Sequence, residues 1–142
     1  MKQRTNLEQK NAKIIDNFFD LLVKGNIPGV VNLFSDNVYF HSPVTNTKHK
    51  ELTWSQPRQK KPEIAQFFRE LNEQIKIEEM SPLEITAKQS RVFVEGKTRG
   101  TVRSTGKSFE HNWLMTFTLN EDKIVKCMHY YDTADIIHAF RE

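Results

Sequence analysis

In the first part of the chain the apolar positions recur every three or four residues. Leu7, Ile14, Ile15, Phe18, Phe19, Leu21 and Leu22 fall on one stripe between Lys, Asp and Gln, which predicts an amphipathic helix over Leu7–Val23. Gly25 supplies its stop, Asn26 caps a second, short helix, and Pro28 sits in that helix's first turn, where a missing N–H costs nothing. This second helix is expected to end near Phe34. Residues 37–42 contain Val38-Tyr39-Phe40-His41, a β-branched and aromatic run that suits a strand closing at Pro43. Residues 44–61 carry Lys48, Lys50, Arg58, Lys60 and Lys61 around a lone Trp54, with no period. They read as a solvated loop of a length often tied to function. Pro62 then opens a third helix whose Ile64, Phe67, Phe68, Leu71 and Ile75 form a single stripe.

Beyond that helix the period changes to two. Ile77–Ala87 is interrupted by Ser81-Pro82, which predicts a bulge or an edge position because Pro cannot donate to a ladder. Arg91–Arg103 follows, with Gly96 and Gly100 as expected bend points. Turns at 104–107 and 120–123 lead into Phe109–Leu119 and Ile124–Tyr131, so the sheet is expected to be largely antiparallel. Asp132 or Thr133 caps a short last helix carrying Ile136, Ile137 and Phe140. Helices first and antiparallel strands afterwards give an α+β pattern, with helices covering one face of a sheet that curves around them. A length of 142 residues leaves room for one domain, 1–142.

Composition narrows the partners. The 21 basic against 18 acidic residues leave a net charge of only +3, the balance of a solvated mixed surface. No basic helix or stacking platform points to nucleic acid. The single cysteine rules out an intramolecular disulfide framework and a Cys-rich zinc site, and Cys127, inside an apolar strand pattern, reads as a buried filler. The first residues, Met1 to Asn6, run directly into a charged amphipathic stretch, and no apolar run approaches the roughly 20 residues of a membrane span. The expected location is the cytoplasm, with no membrane partner.

Three segments carry a resemblance. They are Asn32-Leu33-Phe34-Ser35-Asp36-Asn37-Val38-Tyr39-Phe40-His41-Ser42-Pro43, the helix start Lys61-Pro62-Glu63-Ile64-Ala65-Gln66-Phe67-Phe68, and Phe117-Thr118-Leu119-Asn120-Glu121-Asp122-Lys123-Ile124-Val125 through Tyr130-Tyr131-Asp132-Thr133. In this order they resemble the SnoaL-like branch of the nuclear transport factor 2-like superfamily. The resemblance implies a cone-shaped barrel of curved sheet wrapped by N-terminal helices, a cavity between them, and a homodimer. Its members include ketosteroid isomerases, polyketide cyclases, epoxide hydrolases, dehydratases and non-enzymatic binding modules, so the fold does not fix a reaction. The helix-one tyrosine of the isomerases corresponds here to Phe18, which has no hydroxyl. Their aspartate base corresponds to Ser42. Their protonated aspartate, and the acid/base aspartate of SnoaL-type cyclases, fall at Met115. Steroid isomerase and SnoaL-type cyclase chemistry, as those residues perform it, is therefore not expected.

Other residues remain for chemistry. Strand alternation puts Phe109, His111, Trp113, Met115, Phe117 and Leu119 on one face, expected to be concave. By the same rule, and by similarity to the family's last strand, Val125, Cys127, His129 and Tyr131 face inward. Two imidazoles would then share an aromatic cavity, where a group with an ordinary pKa of about 6.5 can act as acid or base. The alternative is that each is a buried polar group satisfied by Tyr, Ser or backbone. The expected catalytic residues are His111 and His129, and the expected ligand contacts are Phe18, Ser42, His41, Trp54, Trp113, Met115 and Tyr131. His41 points outward by parity unless the strand end twists it to the cavity mouth. Trp54 is a lid over the cavity, or it packs outside the sheet or at a dimer contact. Trp113 and Tyr131 stack on a flat ligand or belong to the core. Glu110, beside His111, is turned outward by parity. No paired histidine spacing or clustered carboxylate supports a metal, and no cofactor is expected. The functional expectation is binding of a small apolar or aromatic metabolite, with proton transfer through the histidines. A non-catalytic binding module, or a dimeric assembly domain with Trp113, Met115 and Phe117 filling the cavity, is the alternative.

Overall fold

The structure is a computed structural model that describes residues 3–142; of the N-terminal stretch read above, Met1 and Lys2 lie outside the described residues. Helix α1 runs over Asn6–Val23, and its N-terminus is fixed by a capping box in which Thr5 Oγ1 accepts from the Glu8 amide and Glu8 accepts from the Thr5 amide. Gly25, in the left-handed region at φ 71°, turns the chain into α2 (Ile27–Asn32), which Asn26 caps. Strand β1 (Phe34–His41) is followed, after the long loop, by α3 (Lys61–Gln74). Strands β2 (Ile75–Lys88), β3 (Arg91–Val102), β4 (Ser108–Asn120) and β5 (Lys123–Tyr131) come next, and α4 (Thr133–Phe140) closes the chain with Asp132 as its cap. Phe34 thus belongs to a strand and not to the end of a helix, because its backbone pairs with Ile124 and its side chain is fully buried.

The five strands form one curved, open sheet in the order β1-β5-β4-β3-β2, antiparallel except where β1 runs parallel to β5. The sheet does not close on itself, so the expected cone is present but not as a complete barrel. β2 is an edge strand with register shifts at Ile77/Glu79 and Pro82/Glu84, where the proline signal placed one. A further shift falls at Thr118/Leu119 opposite Lys126/Ile124. It changes the parity of β5, so Ile124 is fully buried and Val125, expected inward, is only half-buried.

Gly96 and Gly100 are not bends. Both stay in register, opposite Trp113 and Phe109, and both make room for those rings. A Cβ at position 96 would lie 2.2 Å from Trp113 Cζ2, and Trp113 cannot retreat because its other face is stacked on Phe19 with centroids 5.6 Å apart. Gly96→Ala is therefore expected to cost about 2–3 kcal/mol and to lower the Tm by roughly 5–10 °C. A melting curve within about 2 °C of wild type would contradict this packing.

The concave face of the sheet and the helices enclose an aromatic core. Phe18 meets Phe19, Phe34 and Phe117 edge-on at 5.0, 6.1 and 5.3 Å, and Phe40 meets Phe67 at 4.7 Å. Such pairs add about 0.5–1.5 kcal/mol each beyond the area they bury. Among the described residues no helix is long and apolar enough to cross a membrane.

Candidate functional site

The core does not fill the cone. A cavity of about 1090 Å³ lies between the sheet and the helices. Exposed Val23 and Ile77 stand at its rim, and Phe18, Phe67, Met115 and Ile136 line it. Met115 and Trp113 therefore do not plug it, as a vestigial pocket would require.

Strand alternation delivers the polar groups. β4 turns His111 inward, and β5, paired with it through Trp113↔Tyr131 and Met115↔His129, turns His129 and Tyr131 to the same side. The three rings form a stack. His111 lies nearly parallel to Tyr131, with centroids 5.4 Å apart and planes 9° apart, and His129 packs on Tyr131 at 4.7 Å. Phe109 covers the far face of His111, and Trp113 meets His129 edge-on.

Each imidazole has one nitrogen held. Ser42 reaches His129 because β1 runs beside β5 with Phe40↔Cys127 in register and the Val44 amide donates to the His129 carbonyl. Ser42 Oγ then lies 2.8 Å from His129 Nδ1. His111 Nδ1 lies 2.9 Å from Asp135 Oδ2 in the first turn of α4. Nothing in the sequence singled out Asp135. The usable signal was the Asp132 cap, which starts the helix three residues earlier and sets Asp135 over the end of β4.

The two histidines differ in surroundings. Burial withholds water from an imidazolium at 129, and the nearby His111 adds repulsion, so the pKa of His129 falls to about 3. It is neutral at physiological pH. Burial also pushes the Tyr131 hydroxyl well above the usual phenol range, partly offset by the adjacent Trp54 side chain, although the two form no hydrogen bond of normal geometry. Both rings retain some accessible area as part of the cavity wall, while protein surrounds them. His129 Nε2, Tyr131 Oη and Trp113 Nε1 are buried and have no hydrogen-bond partner among the described residues. An unmet polar atom of this kind costs about 1–3 kcal/mol, so this corner carries unused hydrogen-bonding capacity.

Of the expected ligand contacts, Phe18, Ser42, Trp54, Met115 and Tyr131 line the cavity, as do both expected catalytic histidines. His41 and Trp113 do not. His41 shares the outer face of β1 with Tyr39, against whose ring it packs edge-on, and does not join the two cavity histidines, His111 and His129. Trp113 is buried between Phe19 and Gly96, behind the wall. Trp54 is neither a peripheral lid nor an outside contact. It is 1% exposed, packs against Phe140 of α4 and forms part of the wall. Arg58, read as a solvated loop cation, is buried too. It pairs with Phe40 through the backbone and with Glu70 through its guanidinium, tying the loop down. Glu110 is exposed and pairs with Lys97, as parity required. The buried Cys127 thiol is pushed up in pKa by desolvation alone and takes no part in the cavity wall. No three ligating side chains are gathered for a metal among the described residues.

Comparison with known proteins agrees with this geometry. The SnoaL-like domain profile matches residues 15–127. No curated protein matches the chain. An NTF2-like protein from Burkholderia xenovorans LB400 is 23% identical, with 94% of this chain and 98% of that one covered at a TM-score of 0.80. An NTF2-like protein from Burkholderia thailandensis E264 is 18% identical over 99% and 100% at a TM-score of 0.82. An LEH-like epoxide hydrolase from M. tuberculosis is 13% identical over 93% and 90% at a TM-score of 0.71. At such identities the likeness is one of fold. The profile match, spanning most of the sequence from within α1 into β5, places the chain in the SnoaL-like family of the nuclear transport factor 2-like superfamily.

Proposed function

We propose that the cavity binds a small apolar or aromatic metabolite and that its histidines transfer a proton on that ligand, in a cofactor-independent isomerase-, cyclase- or lyase-type reaction. The observation that carries this reading is the His111–Tyr131–His129 stack in a mostly apolar cavity, with one nitrogen of each imidazole engaged by a fixed partner. Phe18, Met115 and Trp54 supply apolar surface to the ligand, and Tyr131 stacks on both imidazoles while its hydroxyl, without a partner among the described residues, is left for the ligand. The existence of an LEH-like epoxide hydrolase on the same fold supports a catalytic use of such a cavity. The protein is read as a cytoplasmic homodimer that pairs through the outer face of its sheet, where Tyr39, Leu114 and Tyr130 are exposed.

Native mass spectrometry tests binding and assembly together. The expected result is a dimer that takes up the uncharged probe N-phenyl-1-naphthylamine, one per chain, with uptake weakened by Met115→Trp, which puts a larger ring into the cavity wall opposite His129. No uptake, or uptake unaffected by that substitution, overturns the binding reading. With a turned-over ligand in hand, His111→Gln and His129→Gln are expected to change the pH–rate profile. Unchanged profiles would reduce the cavity to a binding or carrier site, the second reading.

A further inference from the structure

The two cavity histidines look alike in sequence but are built differently. Ser42 holds His129 through a neutral hydroxyl, whereas Asp135 holds His111 through a carboxylate. A hydroxyl can donate to Nδ1 or accept from it, so it leaves the imidazole free to choose its tautomer. An ionised carboxylate can only accept, so it fixes the His111 proton on Nδ1 and leaves the Nε2 lone pair as the basic site. His111 Nε2 has no partner among the described residues, and the side chain lines the cavity.

We propose that Asp135 commits His111, and not His129, to the proton transfer, and that the pair acts on an uncharged ligand. This rests on the cavity being a ligand site, as proposed above. A proton leaves a C–H or O–H of the ligand for His111 Nε2, and the bonding electron pair stays on the ligand. The imidazolium charge created is met at 2.9 Å by Asp135, which keeps the Nδ1 hydrogen bond throughout. His129 has no such counter-charge. The groups facing His111 are Asp135 from α4, Tyr131 and His129 from β5, and Thr98 across the ladder on β3. None of these is a fixed cation. The cations beside the cavity, Lys61 and Arg69, belong to α3 on its helical side. A ligand that brought its own carboxylate to the stack would face Asp135 and lose its hydration with only uncharged groups, Tyr131 Oη and His129 Nε2, to compensate it and no cation.

Asp135, like His129 and Tyr131, lies beyond the segment that matches the family profile. It is a positioning residue, with a role that a purely structural aspartate would not have. Nitrogen-15 NMR of the imidazoles, at a pH where they are neutral, reads that role directly. In wild type His111 is expected to carry its proton on Nδ1. In Asp135→Asn, whose amide can donate to Nδ1, the proton is expected to move to Nε2. Asp135 is a partly exposed side chain on the first turn of its helix, so the variant is expected to fold. An Nε2-protonated His111 in wild type, or the same tautomer in both proteins, overturns the assignment. The same samples titrated with 2-naphthol and 2-naphthoate read the ligand class. The naphthol is expected to shift the His111 Nε2 signal and the naphthoate to bind at least about tenfold more weakly. Equal binding of both removes the uncharged-ligand part. Binding of neither removes the ligand site itself while leaving the tautomer result to stand or fall separately.

Discussion

Glu70→Ala is expected to cost about 3 kcal/mol or more of stability and to lower the Tm by roughly 10 °C. The reason is the partner it abandons. The Arg58 side chain is 4% exposed, and its shortest contact is the 2.7 Å bond from Nη2 to Glu70 Oε2. Its remaining bonds, to the carbonyls of Trp54 and Glu63, are long, at 3.3 and 3.4 Å, and Nε has no partner. Without the carboxylate, a buried guanidinium keeps its charge and loses most of its compensation. Glu70 is 24% exposed, so water reaches the vacated position and the loss sits at the lower end of the usual 3–5 kcal/mol range. Arg58→Met is expected to be milder, because it removes the buried charge and leaves Glu70 able to turn to solvent. Urea denaturation of the two variants ranks them, and a Glu70→Ala loss below about 1 kcal/mol would show the pair to be an ordinary surface contact. The consequence reaches the cavity. Arg58 anchors the loop that carries Leu52 and Trp54 into the core, so Glu70→Ala should also weaken uptake of an apolar probe.

The same loop marks where the sequence stopped being legible. Helices, strands and turns follow from short-range spacing, and the elements expected at 7–23, 62–75 and 109–119 match α1, α3 and β4 within a residue or two. The family resemblance needed only strand ends and helix starts. Residues 44–61 have no period, and nothing in a lysine-rich stretch tells that Arg58 is buried or that Trp54 is a wall and not a lid. Those facts depend on Glu70 and Phe140, which are distant in the chain. Parity placed His111, His129 and Tyr131 on one face correctly, yet it failed at Val125, where one extra residue against β4 flips the alternation. It also gave Trp113 the right face without showing that Phe19 and Gly96 would draw it behind the cavity wall. Asp135 was invisible for a related reason. Its contact with His111 spans 24 residues and exists only because α4 folds back over β4.

The neutral state of His129 makes a prediction of comparable size. In the unfolded chain this histidine titrates near 6.5, and in the native protein its pKa is about 3. Between these values the unfolded state binds a proton that the native state refuses, so stability falls as the pH is lowered through 6.5 and continues to fall until about pH 3. The slope is about 1.4 kcal/mol per pH unit, which amounts to roughly 3 kcal/mol at pH 4.5 relative to neutral pH. His129→Asn removes the titration and keeps a polar atom near the position of Nδ1, where Ser42 can still bond. The variant is expected to be less stable at pH 8, because it leaves part of the ring's volume empty. The gap should then narrow by roughly 3 kcal/mol on going to pH 4.5. Glu8, Glu51 and Glu110 also have altered pKa values, downward, but all three are common to both proteins, so they cancel from the difference. Urea unfolding of both chains at the two pH values decides it. Parallel pH dependences would mean that His129 accepts a proton in the native protein, and the division of labour between the two histidines would lose its electrostatic basis.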